Sequence, residues 1–497
     1  MKLIKCLFFS VVLLLLATSC SKVDQRTEGM IPSDATVVVK VDVPQLIEHS
    51  GIEIKGGKMV FPKKFQKMLE SESRESAAEV DKKLSKLKDS GIDFNHSVYV
   101  FMPNGAINDK SDFEFVVLVP VDDEQKLKAY IEDETEAVFK KKGELMVAQD
   151  GADLYVIKDG TLCITECWQD DQENNLVSLL SPDNSITDNS AAAKVLGSGD
   201  DVNIFMDSKK FRKVAARELN RQSEYYYDEA SMAASSFLDM YDVQTTGIHI
   251  SFADNECNIK CENEFEENSE FLKMAAKATS QPSAELIGLM PDADNALVYS
   301  LSIDAEAIAE FDLVKKLLGD AMDDPDFRQI FDFVKSIKGP VTFGIASNDF
   351  NAENINFVFA TKSTRANQLH SLIGSTPFAA EMQRQGDEYV MRESPYDPAI
   401  KLGTMDNDII YARVSQSGVF PSDNMSKNEE AKRLLSDAVV ALYFTSTVDN
   451  MNMQCSFSSK DLKDGYGKIF VTEGGKKLCP LDALAFFLKL QEEVNYY

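Results

Sequence analysis

Ser85-Lys86-Leu87-Lys88 places a serine three residues ahead of a lysine. In penicillin-recognising enzymes that spacing lets the lysine assist an attacking hydroxyl. Here the pair follows the charged run Asp81-Lys82-Lys83, and no SDN or KTG element stands in workable order. A solvated helix face is the expected role. Asp159-Gly160-Thr161 resembles the end of the phosphatase DxDGT motif, but Ile157 stands where the nucleophilic aspartate belongs. A β-turn is the better reading. His49, His96, His249 and His370 show neither HExxH nor any paired spacing, so no catalytic or metal role is assigned to them. Asp320, Asp323, Asp324 and Asp326 crowd around Pro325, and Asp292/Asp294 and Asp406/Asp408 form smaller pairs. Calcium requires six to eight oxygens in a shaped loop. None of these clusters has the glycine or the distant glutamate of an EF-hand, so they read as solvated loops. Tyr225-Tyr226-Tyr227 and Tyr496-Tyr497 offer rigid contact area, the first more in keeping with packing within its own domain. With no GxSxG, Walker A or Rossmann glycine pattern, no catalytic, cofactor-binding or metal-binding residue is nominated, and no cofactor is expected.

Cys20 offers a different chemistry. Lys2 and Lys5 precede the apolar run Leu7 to Leu16, and Ala17-Thr18-Ser19 lead into the cysteine. A basic start, a short apolar core and small residues before the cut make a signal peptide. The run is too short for the roughly 20 residues of a spanning helix. A cysteine directly after the small residues matches a lipobox, so residues 1–20 are expected to be a lipoprotein signal peptide, with Cys20 lipidated. Residues 21–30 are polar and read as a tether.

The chain as a whole has the composition of an acidic globular protein. It has 497 residues, a net charge of −29 and 44% hydrophobic content. Removing residues 1–20 takes away Lys2 and Lys5 and no acid, which moves the charge to −31. Such a body repels nucleic-acid phosphates and offers no basic stripe for counterion release. It also repels anionic headgroups, so attachment to the membrane is expected through the lipid on Cys20 alone. The length suggests two or three domains.

Six further cysteines remain: Cys163, Cys167, Cys257, Cys261, Cys455 and Cys479. Cys163/Cys167 and Cys257/Cys261 are spaced four apart within apparent strands. Each pair would share a face about 13 Å apart, too far for a disulfide within the pair. Buried apolar packing is the expected role; a bond between strands, of the Cys163–Cys261 type, stays open.

An internal duplication organises the chain. Ile31-Pro32-Ser33-Asp34 leads into Val37 to Asp42, and Met290-Pro291-Asp292 leads into Ala296 to Asp304, each ending in an aspartate before a helix. Phe113–Val119, Leu127 and Ile131 match Ile355–Thr361, Leu369 and Ile373 at an offset of 242. Val202–Phe205 matches Val440–Tyr443 at 238, and Ile250–Phe252 matches Cys455–Phe457 at 205. The drop from 238 to 205 implies an insertion of about 33 residues, read as a helix near 208–240. The match also sets Cys455 opposite Ile250, in a core strand. Phe271-Leu272-Lys273-Met274 and Phe487-Leu488-Lys489-Leu490 mark closing helices. Strands in adjacent runs with interleaved helices predict an α+β fold. It would comprise two tandem homologous repeats with mainly antiparallel sheets and flanking helices, at 31–281 and 282–497.

The lipobox at Cys20, the opening Met30-Ile31-Pro32-Ser33-Asp34-Ala35, the strand Val37-Val38-Val39-Lys40-Val41-Asp42 and the length together resemble a family of Bacteroides-type cell-envelope lipoproteins. That family is known only as a domain of unknown function. The resemblance implies a lipid-anchored address in the envelope, with the outer membrane expected and the leaflet open. It supplies no catalytic residues. The expectation is a non-enzymatic binding or scaffolding protein whose partner is a protein or a glycan. The alternative is a hydrolase of an envelope or extracellular polymer, using acidic residues in a cleft between the repeats.

Overall fold

Alternation of apolar side chains with period two drives the strands of this protein, because successive strand residues face opposite sides. The computed structural model describes residues 21–486 apart from 56–57, 74–81, 84–85, 105–113, 144, 168–172, 214–240, 348–353, 375–381, 392–397, 407, 419, 421–422 and 449. Two compact units are present. Unit 1 holds Met1–Glu218, Val243–Glu264 and Lys477–Tyr497; unit 2 holds Leu219–Asp242 and Phe265–Lys476.

Unit 1 contains β1 (Val37–Val41), β2 (Val98–Met102), β3 (Val116–Pro120), β4 (Lys140–Lys142), β5 (Leu145–Asp150), β6 (Asp153–Lys158), β7 (Thr161–Glu166), β8 (Val202–Asp207), β9 (Val243–Ser251) and β10 (Cys257–Phe265). The first nine pair antiparallel in the order β9-β8-β1-β2-β3-β7-β6-β5-β4. Unit 2 contains β11 (Asn295–Asp304), β12 (Ile337–Ser347), β13 (Asn356–Ser363), β14 (Gln383–Gln385), β15 (Glu388–Met391), β16 (Ala399–Met405), β17 (Ile409–Ser415), β18 (Val440–Val448), β19 (Met451–Ser459) and β20 (Asp464–Glu473). Its antiparallel order is β20-β19-β18-β11-β12-β13-β17-β16-β15-β14. Adding ten to each strand number of unit 1 reproduces the order of unit 2. The fold is thus α+β with antiparallel sheets, as the strand spacing predicts.

Local details repeat as well. Asp42 caps a helix by accepting from Gln45 N, and Asp304 does so from Ala307 N. Ile186 N donates to Ile31 O at 2.7 Å, and Met425 N to Met290 O at 3.0 Å. Asn189 and Asn428 cap the helices that follow. Leu127 and Ile131, and Leu369 and Ile373, are all buried.

In unit 1 both faces of the sheet lie in cores. Val41, Val98, Val117 and Val119 pack with Ile47, Phe65, Leu127 and Ile131. On the other side Val38, Tyr99, Phe101, Leu118 and Phe205 pack with Ile31, Leu176 and Leu196. In unit 2 the Ala296, Val298, Val358, Ala360 and Tyr443 face packs beneath Leu286, Met290, Leu434 and Leu435.

Four expectations differ from what is observed. Residues 21–30 do not form a tether: Ser21–Glu28 is a helix, α1, held to unit 1 by contacts described below. The units do not divide at 281/282. The chain's last segment belongs to unit 1, where Leu481 enters the core and Asp482 Oδ1 accepts from Lys64 N (3.0 Å) and Phe65 N (3.1 Å). Those two amides open the helix Lys63–Ser73, so its cap comes from more than 400 residues away. The third difference concerns register. Val202 faces Ile250 and Val440 faces Ser459, so the counterpart of Ile250 is Ser459, four residues beyond the Cys455 that sequence matching selects. A shift of four keeps every side chain on its own face, which hides it from a hydrophobic pattern. The fourth is the placement of Cys455, taken up with the open face below. The expected insertion is helical at 208–213, with the rest outside the described residues, as is the closing run 487–490.

Truncating Leu481 to alanine should destabilise unit 1 by about 2–5 kcal/mol, and Asp482→Ala by about 1 kcal/mol through the lost cap. Thermal or urea unfolding of the full chain measures both, and an unchanged midpoint for Leu481→Ala would contradict this placement of the C-terminal segment.

Candidate functional site

Cys20 lies outside the described residues, but the helix that follows it is well held. In α1, Asp24 Oδ1 accepts from Ser97 N at 2.8 Å, and Arg26 Nη2 donates to Gly160 O at 3.0 Å. The fully buried Tyr99 donates its hydroxyl to Glu28 Oε1 at 2.8 Å, and Lys40 Nζ lies 3.5 Å from the same oxygen. Burial, and then the Glu28 and Asp24 charges, push the Tyr99 phenol far above its ordinary value, so it stays a donor. Buried His96 stands beside this contact, with Nδ1 3.7 Å from Asp24 and Nε2 3.5 Å from Asp93. Asp159 and Gly160 form the expected turn, with φ of 48° and 66°. Its chemistry is to present a carbonyl to Arg26.

The polar cluster that sequence reading missed surrounds His249. Its Nδ1 lies 2.9 Å from both Ser198 Oγ and Asn203 Oδ1, and its Nε2 lies 3.6 Å from Glu262 Oε2. A Ser-His-Glu alignment suggests an activated nucleophile. The hydrogen-bond directions argue otherwise. Ser198 donates its hydroxyl proton to Asn203 Oδ1. With Asn203 Oδ1 accepting, His249 Nδ1 must carry the proton, and a protonated Nδ1 cannot take one from Ser198. Next to it, fully buried Asp201 accepts from His49 Nδ1 (2.8 Å) and Phe252 N (2.7 Å). Asn203 faces His249 across β8 and β9, where Ala441 faces Ser458 in unit 2. The cluster therefore belongs to unit 1 alone and ties the start of β8 to the helix Val43–Ser50.

The other nominated residues do not converge. Lys88 is exposed, while Ser85 and Tyr225-Tyr226-Tyr227 and Tyr496-Tyr497 lie outside the described residues. Asp323 and Asp324 are exposed, and Asp324 Oδ1 accepts from Phe327 N at the start of the helix Pro325–Val334. Among the described residues no three His, Cys, Asp or Glu side chains form a metal-binding group. The six cysteines among the described residues are free thiols. Burial pushes Cys163 up to about 12 and raises Cys261, Cys455 and Cys479, which holds them protonated and poorly nucleophilic. A cavity of about 60 Å³ in unit 2 is lined by Asn356, Arg413, Asp423 and Asn424, among others. It is far smaller than the roughly 300–1,000 Å³ of a small-molecule site, and Asp423 is its one carboxylate.

The most open feature is the second face of the unit 2 sheet. One row crosses the strands as Phe457, Leu442, Tyr299, Phe343, Phe359, Ala412, Leu402 and Tyr389, each directly opposite the next; at its far end Leu402 and Tyr389 are covered, packing against Leu369 and Ile373, so the open part runs from Phe457 to Ala412. The adjacent row reads Ile469, Cys455, Phe444, Leu297, Ile345, Phe357, Val414, Ile400 and Met391. No charged residue interrupts either row. Tyr299, Phe343 and Phe359 are 38%, 36% and 37% exposed. Their positional counterparts in unit 1, Val39, Val100 and Val117, all pack in the core with Ile47 and Phe65. Cys455 thus lies half-buried on the open face, not in a core strand.

The family model described as a domain of unknown function (DUF4836) matches residues 27–396. The chain belongs to this family. No curated protein matches. Two solved structures resemble it distantly: "Structure of crystal form I of TP0453", with a TM-score of 0.27 and 11% identity over 50% of this chain and 80% of that one, and "Structure of crystal form III of TP0453", at 0.29 and 10% over 52% and 87%.

Two outcomes are expected. Asp24→Ala should speed amide exchange in residues 23–28 by roughly tenfold to a hundredfold, the effect of losing a charge-assisted hydrogen bond; hydrogen-exchange mass spectrometry reads it. A fluorophosphonate probe should leave Ser198 unmodified, and a labelled Ser198 would overturn the hydrogen-bond assignment around His249.

Proposed function

We propose that this protein is a cell-envelope lipoprotein, anchored through lipid on Cys20, that acts as a non-enzymatic binding protein. The observation that carries the reading is the open apolar face of unit 2. Soluble domains rarely expose contiguous apolar surface of this kind unless it meets a partner. The same face in unit 1 is core, so the sheet itself does not require exposure. The binding role and the anchor divide between the units: unit 1 holds the helix that follows Cys20, and unit 2 presents the face. With α1 docked by Asp24, Arg26 and Glu28, a lipid on Cys20 would hold unit 1 within a few residues of the membrane. We also infer that the units arose by duplication, supported by the shared strand order and by the paired caps at Asp42 and Asp304 and at Asn189 and Asn428.

Metabolic labelling with a clickable fatty acid tests the anchor. The wild-type chain should label and Cys20→Ala should not; a variant that keeps the label would remove the anchor from this reading.

A further inference from the structure

We propose that the open face of unit 2 binds the acyl chain of a zwitterionic phospholipid, an inference that rests on the binding role above. Along the two rows the backbone groups are paired within the sheet, and the side chains are hydrocarbon or aromatic apart from the Tyr299 and Tyr389 hydroxyls and the Cys455 thiol. Such a surface rewards a ligand that has no hydrogen-bonding demand of its own. Nine strands at about 4.8 Å spacing make the longer row roughly 40 Å long, and two residues along a strand separate the rows by about 7 Å. A long, narrow apolar strip fits an extended alkyl chain lying across the strands. The aromatic rings supply its walls: Phe343 and Phe357 stand 6.4 Å apart between centroids.

The chain carries −29, which repels a second copy of itself, a free fatty-acid carboxylate and an anionic headgroup alike. A zwitterionic headgroup left in solvent avoids that repulsion while its chain lies on the strip. An extended peptide would leave backbone groups unpaired against a face whose own are already taken.

The test uses the full chain mixed with phosphatidylcholine vesicles that contain a phosphatidylcholine with a diazirine in its acyl chain. After irradiation, mass spectrometry maps the crosslinks. The expected result is crosslinks in the peptides of β11, β12 and β13 that carry Tyr299, Phe343 and Phe359. Phe359→Glu should reduce them at least about tenfold, because a carboxylate in an apolar strip is strongly disfavoured. Phe343→Ser serves as a milder variant, and each is checked for an unchanged melting temperature. Crosslinks confined to residues 1–30, or unaffected by both variants, would overturn the proposal. So would labelling of the face by diazirine palmitate but not by the phosphatidylcholine. A solvatochromic dye separates this inference from the reading beneath it. If the dye binds in a Phe359-dependent manner and phosphatidylcholine does not, the acyl-chain assignment fails while the binding face stands. If neither depends on Phe359, both fall.

Discussion

The alternation of side chains along extended backbone is the constraint on which this structure depends. Every strand that is apolar at each position creates two apolar faces, and each face must be removed from water. Unit 1 meets the demand twice, with Ile47, Phe65 and Leu127 over one face of its sheet and Ile31, Leu176 and Leu196 over the other. This explains why segments far apart in sequence are recruited to it. Leu481 arrives from the last described segment to complete one cover, bringing the Asp482 carboxylate to the start of the helix Lys63–Ser73. Met30 and Ile31 close the other, and the helix α1 is carried in with them.

Polar groups in unit 1 then act mainly as positioning devices. Glu28, buried Tyr99 and Lys40 form a partly buried arrangement in which the carboxylate is matched by a hydroxyl and an ammonium. Asp201, with no exposed surface, is satisfied by an imidazole and an amide. A buried carboxylate without such partners would be strongly destabilising, so these contacts are expected wherever a charge enters a core. His249 follows the same rule, its ring held between Asn203, Ser198 and Glu262. Its residue types suggest catalysis, whereas the order of donors and acceptors gives it a structural role.

Much of the architecture was legible in the sequence because it rests on local signals. The apolar-Pro entries at Ile31-Pro32 and Met290-Pro291, the capping aspartates Asp42 and Asp304, and the helix pairs Leu127/Ile131 and Leu369/Ile373 all sit where the pattern places them. Features that depend on contacts across the fold were not legible. The charges of residues 21–30 look like those of a solvated linker until Ser97, Gly160 and Tyr99 supply their partners. The register of Ile250 escaped because a shift of four leaves the pattern of faces unchanged. The grouping around His249 joins residues about 50 positions apart, and no spacing rule connects them. The open face was hidden most completely, since Val37–Val41 and Leu297–Leu301 have the same alternation whether or not a cover lies above them.

What differs between those two strands is side-chain size, and this bears on how the open face persists. Where unit 1 has Val39, Val100 and Val117 beneath its cover, unit 2 has Tyr299, Phe343 and Phe359. Valines suit a face that helices will press upon, because small branched side chains allow close approach. On the exposed face large rings stand instead, and Phe343 and Phe357 meet with centroids 6.4 Å apart, a contact of the kind worth about 0.2–1 kcal/mol on a sheet. The rings thus serve as a partial cover made by the sheet itself, sufficient for half-burial and no more. A face that is stable without its cover, and still gains by acquiring one, is the condition a reversible binding surface has to meet.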